Sequence, residues 1–155
     1  MPVGIDTELF SPQPIARDRR ALYMQGRIMR SKHVEVALAA LRLLRERMPA
    51  TLTLVGPEDP AYTKELRIHF SDLISSGAVN FKGPVPNEKT PVLYSAHGAY
   101  INLAAPGHFD KVVLEALACG TPAIACSDVV GDAWRVKEND PRALADSLER
   151  LMTLP

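Results

Sequence analysis

Two cations and one carboxylate are the residues of this chain whose placement suggests chemistry. Arg27 and Lys32 lie on either side of the turn after the first predicted strand, and Lys32 opens the next predicted helix. In a parallel sheet the carboxyl ends of the strands form the ligand edge, so both cations are expected there. A guanidinium binds phosphate through two N–H groups, and an ammonium acts as a point charge. In the alternative interpretation, Arg27, Arg30 and Lys32 are solvated loop charges.

The carboxylate is Glu115, in the middle of a short and mostly apolar predicted helix within residues 106–122. Asp110 is placed to cap this helix, and Gly120 is placed to end it. The free N–H groups and the positive dipole end of such a helix attract anions. Glu115 needs a polar partner in these surroundings, and a ligand hydroxyl is the favoured one. A surface pair with Lys111 is the alternative, although it does not explain the apolar neighbours.

The composition argues against several functional classes. Lys and Arg number 18, as do Asp and Glu, so no net field draws the chain to nucleic acid or to a membrane. No apolar run approaches the ~20 residues that span a bilayer, and the first residues do not resemble a signal peptide. Cys119 and Cys126 are interpreted as reduced, packed thiols, with a disulfide as the alternative. These features predict a cytoplasmic protein.

The familiar catalytic and cofactor motifs are missing from the sequence. His108 and Asp110 are two residues apart, which is a weak metal signal, and no metal site is predicted. The sequence contains no P-loop, no G-x-G-x-x-G fingerprint and no nucleophile elbow. Binding of a phosphate without a metal or a P-loop is the chemistry that remains.

Apolar strand-like runs and helix-like runs alternate along the chain, which predicts parallel βαβ units. We expect an α/β, Rossmann-like three-layer domain, with a parallel sheet covered by helices on both faces. Predicted strands cover residues 21–29, 52–55, 78–81, 99–103 and 121–125, with 133–136 as a candidate sixth. Predicted helices cover residues 32–48 (capped by Ser31), 61–74, 88–96, 111–118 and 142–152. Residues 1–20 are rich in proline and are interpreted as a linker or arm.

Six stretches of the chain form an ordered set: GIDTELFSP (4–12), GRIMRSKHVEVALAAL (26–41), LTLVGPED (52–59), VNFKGPVP (79–86), LYSAHGAYIN (93–102) and VVLEALACGTPAIA (112–125). Taken in order, they resemble the C-terminal, donor-binding domain of GT-B glycosyltransferases of the retaining family-four type, also called glycosyl transferases group 1. The ordered set is specific, although each piece alone is weak. The resemblance implies an interdomain linker at 1–20, a nucleotide-sugar-binding domain at 21–155, and an absent N-terminal acceptor domain.

The resemblance also implies a role for each site residue. Arg27 and Lys32 match the cations that hold the donor diphosphate and offset the charge on the leaving group. Glu115 matches the carboxylate that binds the donor ribose. The remaining donor-binding positions are Gly26, the nucleobase-bordering Val85 and Pro86, and the diphosphate cradle of Lys111, Val112, Val113 and Leu114. The implied reaction transfers a sugar from a UDP- or GDP-sugar to an acceptor hydroxyl with retention, without a metal or a cofactor.

The loop before the predicted helix departs from the family. Gly107 occupies the position of a second acidic residue, eight before Glu115, and Gly-His-Phe-Asp replaces the usual Glu-Gly-Phe-Gly. His108 or Asp110 is therefore expected to replace the usual contacts to the sugar, and Phe109 is a further expected donor-binding residue. The stretch 127–132 is also shorter than in the family.

Two other functional classes compete with an inactive donor-domain fragment of a glycosyltransferase. A non-catalytic nucleotide-binding or assembly module on the same fold is the alternative. A dinucleotide-binding oxidoreductase is disfavoured because the glycine fingerprint is missing. The expected partners are the donor and the absent acceptor domain, through which any peripheral membrane contact would be made.

Overall fold

A computed structural model describes residues 4–105, 110–137 and 139–155 of the chain. Within these residues, five parallel strands form one sheet in the order β3-β2-β1-β4-β5. The strands are β1 (Asp18–Gln25), β2 (Thr51–Val55), β3 (Val79–Gly83), β4 (His97–Asn102) and β5 (Ala123–Ala125). The helices are α1 (Val34–Arg45), α2 (Pro60–His69), α3 (Ser71–Ser75), α4 (Thr90–Ala96), α5 (Asp110–Ala118) and α6 (Pro141–Met152).

The sheet is buried on both faces, as the apolar strand runs predict. Leu22 and Met24 of β1 pack into the apolar layer that also contains buried side chains of α1, α2, α3 and α6. Tyr23, between them, points into the opposite layer, which is formed with α4 and α5. The predicted α/β fold, with helices on both faces of a parallel sheet, is therefore confirmed.

Several helix ends also follow the sequence. The Asp140 side chain accepts a hydrogen bond from the Ala143 N–H, and Pro141 takes the first turn of α6, as predicted. α5 ends at Ala118, and Gly120, the residue predicted to end the helix, follows with a φ of 77°. The Thr121 N–H donates to the Ala116 carbonyl at 2.9 Å, and the Gly120 N–H donates to Leu117, which forms a Schellman motif.

The predicted start of the second element is wrong. Arg30–Lys32 forms a short 3-10 turn rather than the first turn of a capped helix, and the Ser31 side chain makes no cap. α1 begins at Val34, after His33, whose φ of 51° lies in the left-handed region. Lys32, at the end of the 3-10 turn, is buried, and its ammonium lies beside Gly26 at the end of β1.

Other predicted elements also differ from the structure. β1 begins at Asp18, because polar residues extend the strand into pairing with β4. The helix predicted over residues 61–74 divides at Phe70 into α2 and α3. The candidate sixth strand at 133–136 is a 3-10 turn with one isolated bridge, from Arg135 to Ala125.

The residues before β1 pack against the domain on the side of α4 and α5. Phe10 is buried, and its ring meets the edge of Tyr94 at a centroid distance of 6.1 Å. Arg17 donates to the His97 carbonyl at 2.7 Å and to the Thr121 hydroxyl at 2.9 Å. The arm is thereby attached to the start of β4 and to the C-terminal end of α5. Among the described residues, no helix is long and apolar enough to cross a membrane.

Candidate functional site

β1 is the central strand of the sheet. From β1 the chain continues outward to β2 and β3 on one side and then crosses to β4 and β5 on the other, so the strand order reverses at β1. In open parallel sheets, ligands bind beyond the carboxyl ends of the strands at such a switch point. Gly26 follows β1 directly at this point, and α5 begins after the loop that leaves β4. The fold therefore places the predicted cation turn and the predicted anion-binding helix at one edge of the sheet.

Lys32 lies directly over Gly26. A Cβ atom built on Gly26 would be 2.9 Å from the Lys32 ammonium nitrogen, so a side chain there would displace the lysine. Lys32 is only 5% exposed, and this burial lowers its pKa to about 8. Arg27, next to Gly26, is exposed. The turn thus places one buried ammonium and one exposed guanidinium at the switch point.

Gly56 at the end of β2 allows the two strand ends to approach closely. A Cβ atom on Gly56 would lie 2.0 Å from the Gly26 carbonyl oxygen, and its φ is 140°. No side chain fits at this distance, so the glycine sets the floor of the site.

A cleft of about 190 Å³ opens beside this floor. It brings together two of the predicted donor-binding residues, Gly26 and Val85, and Pro86 follows Val85 in the chain. The lining residues are Gln25, Gly26, Val55, Gly56, Pro57, Pro84, Val85, Asn87 and Thr90. The walls are mostly backbone and apolar groups, with a few polar side chains, which is typical of a small-molecule site.

Glu115 lies inside the protein rather than on the surface of α5. It is 3% exposed, and its Oε1 accepts a hydrogen bond from the Tyr94 hydroxyl at 3.0 Å. Burial raises the pKa of Glu115, and the hydrogen bond from Tyr94 and the charge of Lys111 oppose this effect. The alternative of a surface pair with Lys111 is therefore wrong, because Glu115 is buried whereas Lys111 is exposed.

Sequence reasoning missed a cluster of three tyrosines that contacts both Glu115 and the cleft residue Gln25. The ring centroids of Tyr23, Tyr94 and Tyr100 lie 5.3 to 5.5 Å apart. The Tyr23 hydroxyl donates to Oε1 of Gln25 at 2.5 Å. The sequence could have predicted one contact of this cluster, because Tyr23 and Gln25 are two residues apart in β1 and therefore lie on the same face of the sheet.

The remaining predicted residues lie at or before the start of α5. Lys111 is exposed, Val112 and Leu114 are half-buried, and Val113 is fully buried. Gly107, His108 and Phe109 lie outside the described residues, as does the Asp110 side chain, although α5 begins at Asp110. In the described part of the chain, no group of three or more His, Cys, Asp or Glu residues is arranged to hold a metal ion. Cys119 and Cys126 are both buried as thiols, as predicted.

The sheet order and the site at its switch point define a Rossmann-like domain of the kind that forms the C-terminal half of GT-B proteins. The chain belongs to the family described as glycosyl transferases group 1, which matches residues 19–153. The predicted family resemblance is thereby confirmed.

Curated relatives agree with this assignment. The chain is 32% identical to a D-inositol 3-phosphate glycosyltransferase of Frankia alni, an alignment that covers 98% of this chain and 44% of the relative. It is 30% identical to a GDP-mannose-dependent alpha-(1-6)-phosphatidylinositol monomannoside mannosyltransferase of Mycolicibacterium smegmatis, covering 81% of this chain and 37% of that protein. The chain thus spans less than half the length of these relatives.

Solved structures share the fold. HepE from Anabaena, crystallised with UDP and glucose, superposes with a TM-score of 0.83 at 21% identity, over 97% of this chain and 46% of HepE. The C-terminal domain of the group 1 protein LpcC from Francisella tularensis gives a TM-score of 0.78 at 17% identity, over 97% of this chain and 89% of that domain. Sucrose-phosphate synthase from Thermosynechococcus elongatus gives a TM-score of 0.81 at 27% identity, over 97% of this chain and 42% of the synthase.

Proposed function

We propose that this chain is the donor-binding domain of a glycosyltransferase that moves a sugar from a nucleoside diphosphate sugar to an acceptor hydroxyl with retention. The observation that carries the proposal is the Lys32 ammonium, buried against Gly26 at the switch point of the sheet and next to the cleft bordered by Val85. A buried cation beside a mostly apolar cleft suits a ligand that is apolar at one end and anionic at the other.

Charge stabilisation is the catalytic contribution expected from this half of the enzyme. When the bond to the sugar breaks, negative charge accumulates on the departing diphosphate. Lys32 and Arg27, together with the free N–H groups of the first turn of α5, are proposed to hold that charge. Because these groups are fixed by the fold, they need little reorganisation during the reaction.

The other predicted residues are proposed to bind different parts of the donor. Glu115 is proposed to accept hydrogen bonds from the ribose hydroxyls. Val85 and Pro86 would border the nucleobase, and the side chains of His108, Phe109 and Asp110 would contact the sugar. The acceptor would bind to a second domain. The curated relatives are more than twice as long as the part that this chain matches, which supports such a domain.

Calorimetric titration with nucleotides tests the proposal. UDP, GDP, UDP-glucose and GDP-mannose are the ligands to use, since the relative from Mycolicibacterium is GDP-mannose-dependent and HepE was crystallised with UDP-glucose. At least one of these nucleotides is expected to bind, and Lys32→Ala is expected to weaken that binding at least tenfold. Lys64→Ala removes an exposed lysine outside the cleft and serves as the matched control. Equal binding by both variants would contradict the proposal.

A second candidate, a non-catalytic nucleotide-binding or assembly module, is favoured by one observation. Gly107 stands where the family commonly has a carboxylate. Supplying the N-terminal domain of the full-length protein separates the two functions. Donor binding without sugar transfer or donor hydrolysis would identify the non-catalytic module, and turnover would identify the enzyme.

A further inference from the structure

Gln25 is a polar side chain of the cleft to which the proposed function assigns no role. It is the last residue of β1, and it lines the cleft together with Gly26 and Val85. Because β1 alternates, Gln25 points to the same side of the sheet as Tyr23, toward α4 and α5. Its side chain therefore lies between the tyrosine cluster and the space in which a nucleoside would sit.

The orientation of Gln25 is fixed by two tyrosine hydroxyls. Tyr23, which is fully buried, donates to the side-chain Oε1 at 2.5 Å. The Tyr100 hydroxyl accepts from the Gln25 N–H at 3.2 Å and lies 3.1 Å from the Gln25 carbonyl. The side-chain carbonyl of Gln25 is thus engaged by Tyr23 and its backbone by Tyr100.

The other end of the Gln25 amide is available to a ligand. Within the described residues, Nε2 donates no hydrogen bond, so two N–H groups remain for an acceptor in the cleft. A half-buried amide that is held by its oxygen and open at its nitrogen is suited to select an acceptor atom. A ligand that covers the amide without accepting from it would leave a buried donor unpaired, which is costly.

We propose that Gln25 selects the nucleobase by donating a hydrogen bond from Nε2 to a carbonyl oxygen on the base. Uracil and guanine both carry such a carbonyl, whereas adenine presents an amino group in its place. Tyr23 is then a positioning residue, since its hydroxyl holds the Gln25 amide with the nitrogen toward the cleft. This inference rests on the proposed function and adds the basis of its nucleotide preference.

Calorimetry with UDP, GDP, ADP and inorganic pyrophosphate tests the inference. The wild-type chain is expected to bind UDP or GDP more tightly than ADP. Gln25→Met keeps the length and neutrality of the side chain but removes both donors, and is expected to weaken the preferred nucleotide about tenfold. Its affinity for ADP and for pyrophosphate is expected to stay unchanged. Gln13→Met, on the arm and outside the cleft, is the matched control.

Tyr23→Phe tests the positioning role separately. This change retains ring packing against Tyr94 and Tyr100 and removes the hydroxyl alone. A several-fold loss of UDP or GDP affinity at constant pyrophosphate affinity is expected. A change in thermal stability without any change in that ratio would show that the Tyr23 hydroxyl is merely structural.

The possible failures are distinguishable. A wild-type chain that binds neither UDP nor GDP would overturn the proposed function and this inference together. Unchanged UDP and GDP binding by Gln25→Met, while Lys32→Ala weakens it, would overturn the inference alone. Equal weakening of ADP and of the preferred nucleotide would also overturn it, because the contact would then lie on the ribose.

Discussion

At the scale of single residues, Glu115 places a carboxylate among aromatic rings, where it opposes folding. Its pKa is raised by burial, so protonation of Glu115 is easier in the folded state than in the unfolded chain. The resulting stability is complete below the unfolded pKa and is lost as the pH rises through the higher folded pKa. At neutral pH the protein therefore keeps this carboxylate at a cost to stability, which is typical of a residue retained for binding.

Glu115→Gln is expected to raise the melting temperature at neutral pH by about 3 °C, because it removes the buried charge and keeps an acceptor for Tyr94. The same variant is expected to bind its nucleotide at least tenfold more weakly, since a neutral amide accepts more weakly than a carboxylate. Thermal scans at neutral and acidic pH measure the first effect, which shrinks in acid. A lower melting temperature of the variant at neutral pH would contradict this account.

Lys32 predicts a pH dependence of binding. Its pKa of about 8 lies below the usual lysine value, and a bound diphosphate favours the protonated amine. Affinity for UDP or GDP is therefore expected to be highest below about pH 8 and to fall above it, by at most about tenfold for each pH unit, until the contribution of the Lys32 charge is lost. Titration above pH 8 in two buffers of different ionisation enthalpy detects the accompanying proton uptake. Lys32→Arg is expected to flatten the profile, and a flat wild-type profile would argue against the contact.

At the scale of elements, the contact between the ends of β1 and β2 depends on Gly56. Gly56→Ala would force its Cβ against the Gly26 carbonyl, which must then move and disturb the Lys32 turn. A loss of about 3 kcal/mol in the free energy of unfolding is expected, together with weakened nucleotide binding. Gly131→Ala is the control, because that glycine has negative φ and open space around it. Denaturant titration measures both variants, and a loss below about 1 kcal/mol for Gly56→Ala would show that the contact relaxes easily.

The elements of the fold were largely predictable, because apolar runs and helix-ending signals are local. The end of α5 is an example, since Gly120 and Pro122 together require the helix to stop. Boundaries set by contacts distant in sequence were not predictable. β1 extends back to Asp18 because β4 offers it a partner, and His33 adopts a left-handed conformation that its sequence does not signal.

The charged residues of the candidate site could be predicted from the sequence, but the side chains that contact them could not. Arg27 and Lys32 stand out by residue type and by position after a strand. The Tyr94 partner of Glu115 is 21 residues away in the chain and is brought close only when α4 packs against α5. The tyrosine cluster was not predictable either, because its members are also distant in sequence and a buried aromatic residue looks like an ordinary core residue.

At the scale of the whole molecule, the arm before β1 contributes to stability through Arg17. Its guanidinium connects the start of β4 to the C-terminal end of α5, the helix whose other end is proposed to bind the diphosphate. Arg17→Ala is expected to lower the free energy of unfolding by about 2 kcal/mol, since it removes charge-assisted hydrogen bonds to part-buried acceptors. Arg19→Ala, which loses a bond to the exposed Leu154 carbonyl, is the control and is expected to change it by less than about 0.5 kcal/mol. Equal losses in both variants would contradict a specific role for Arg17.

The tyrosine cluster gives the chain a natural optical reporter. Three of its four tyrosines, Tyr23, Tyr94 and Tyr100, gather behind the cleft, whereas its one tryptophan, Trp134, stacks under Arg150 next to the edge strand β5. Ligand entering the cleft is expected to change the emission of the tyrosines, and unfolding would expose the indole. Binding and folding can therefore be followed as two separate spectroscopic signals in the unlabelled protein.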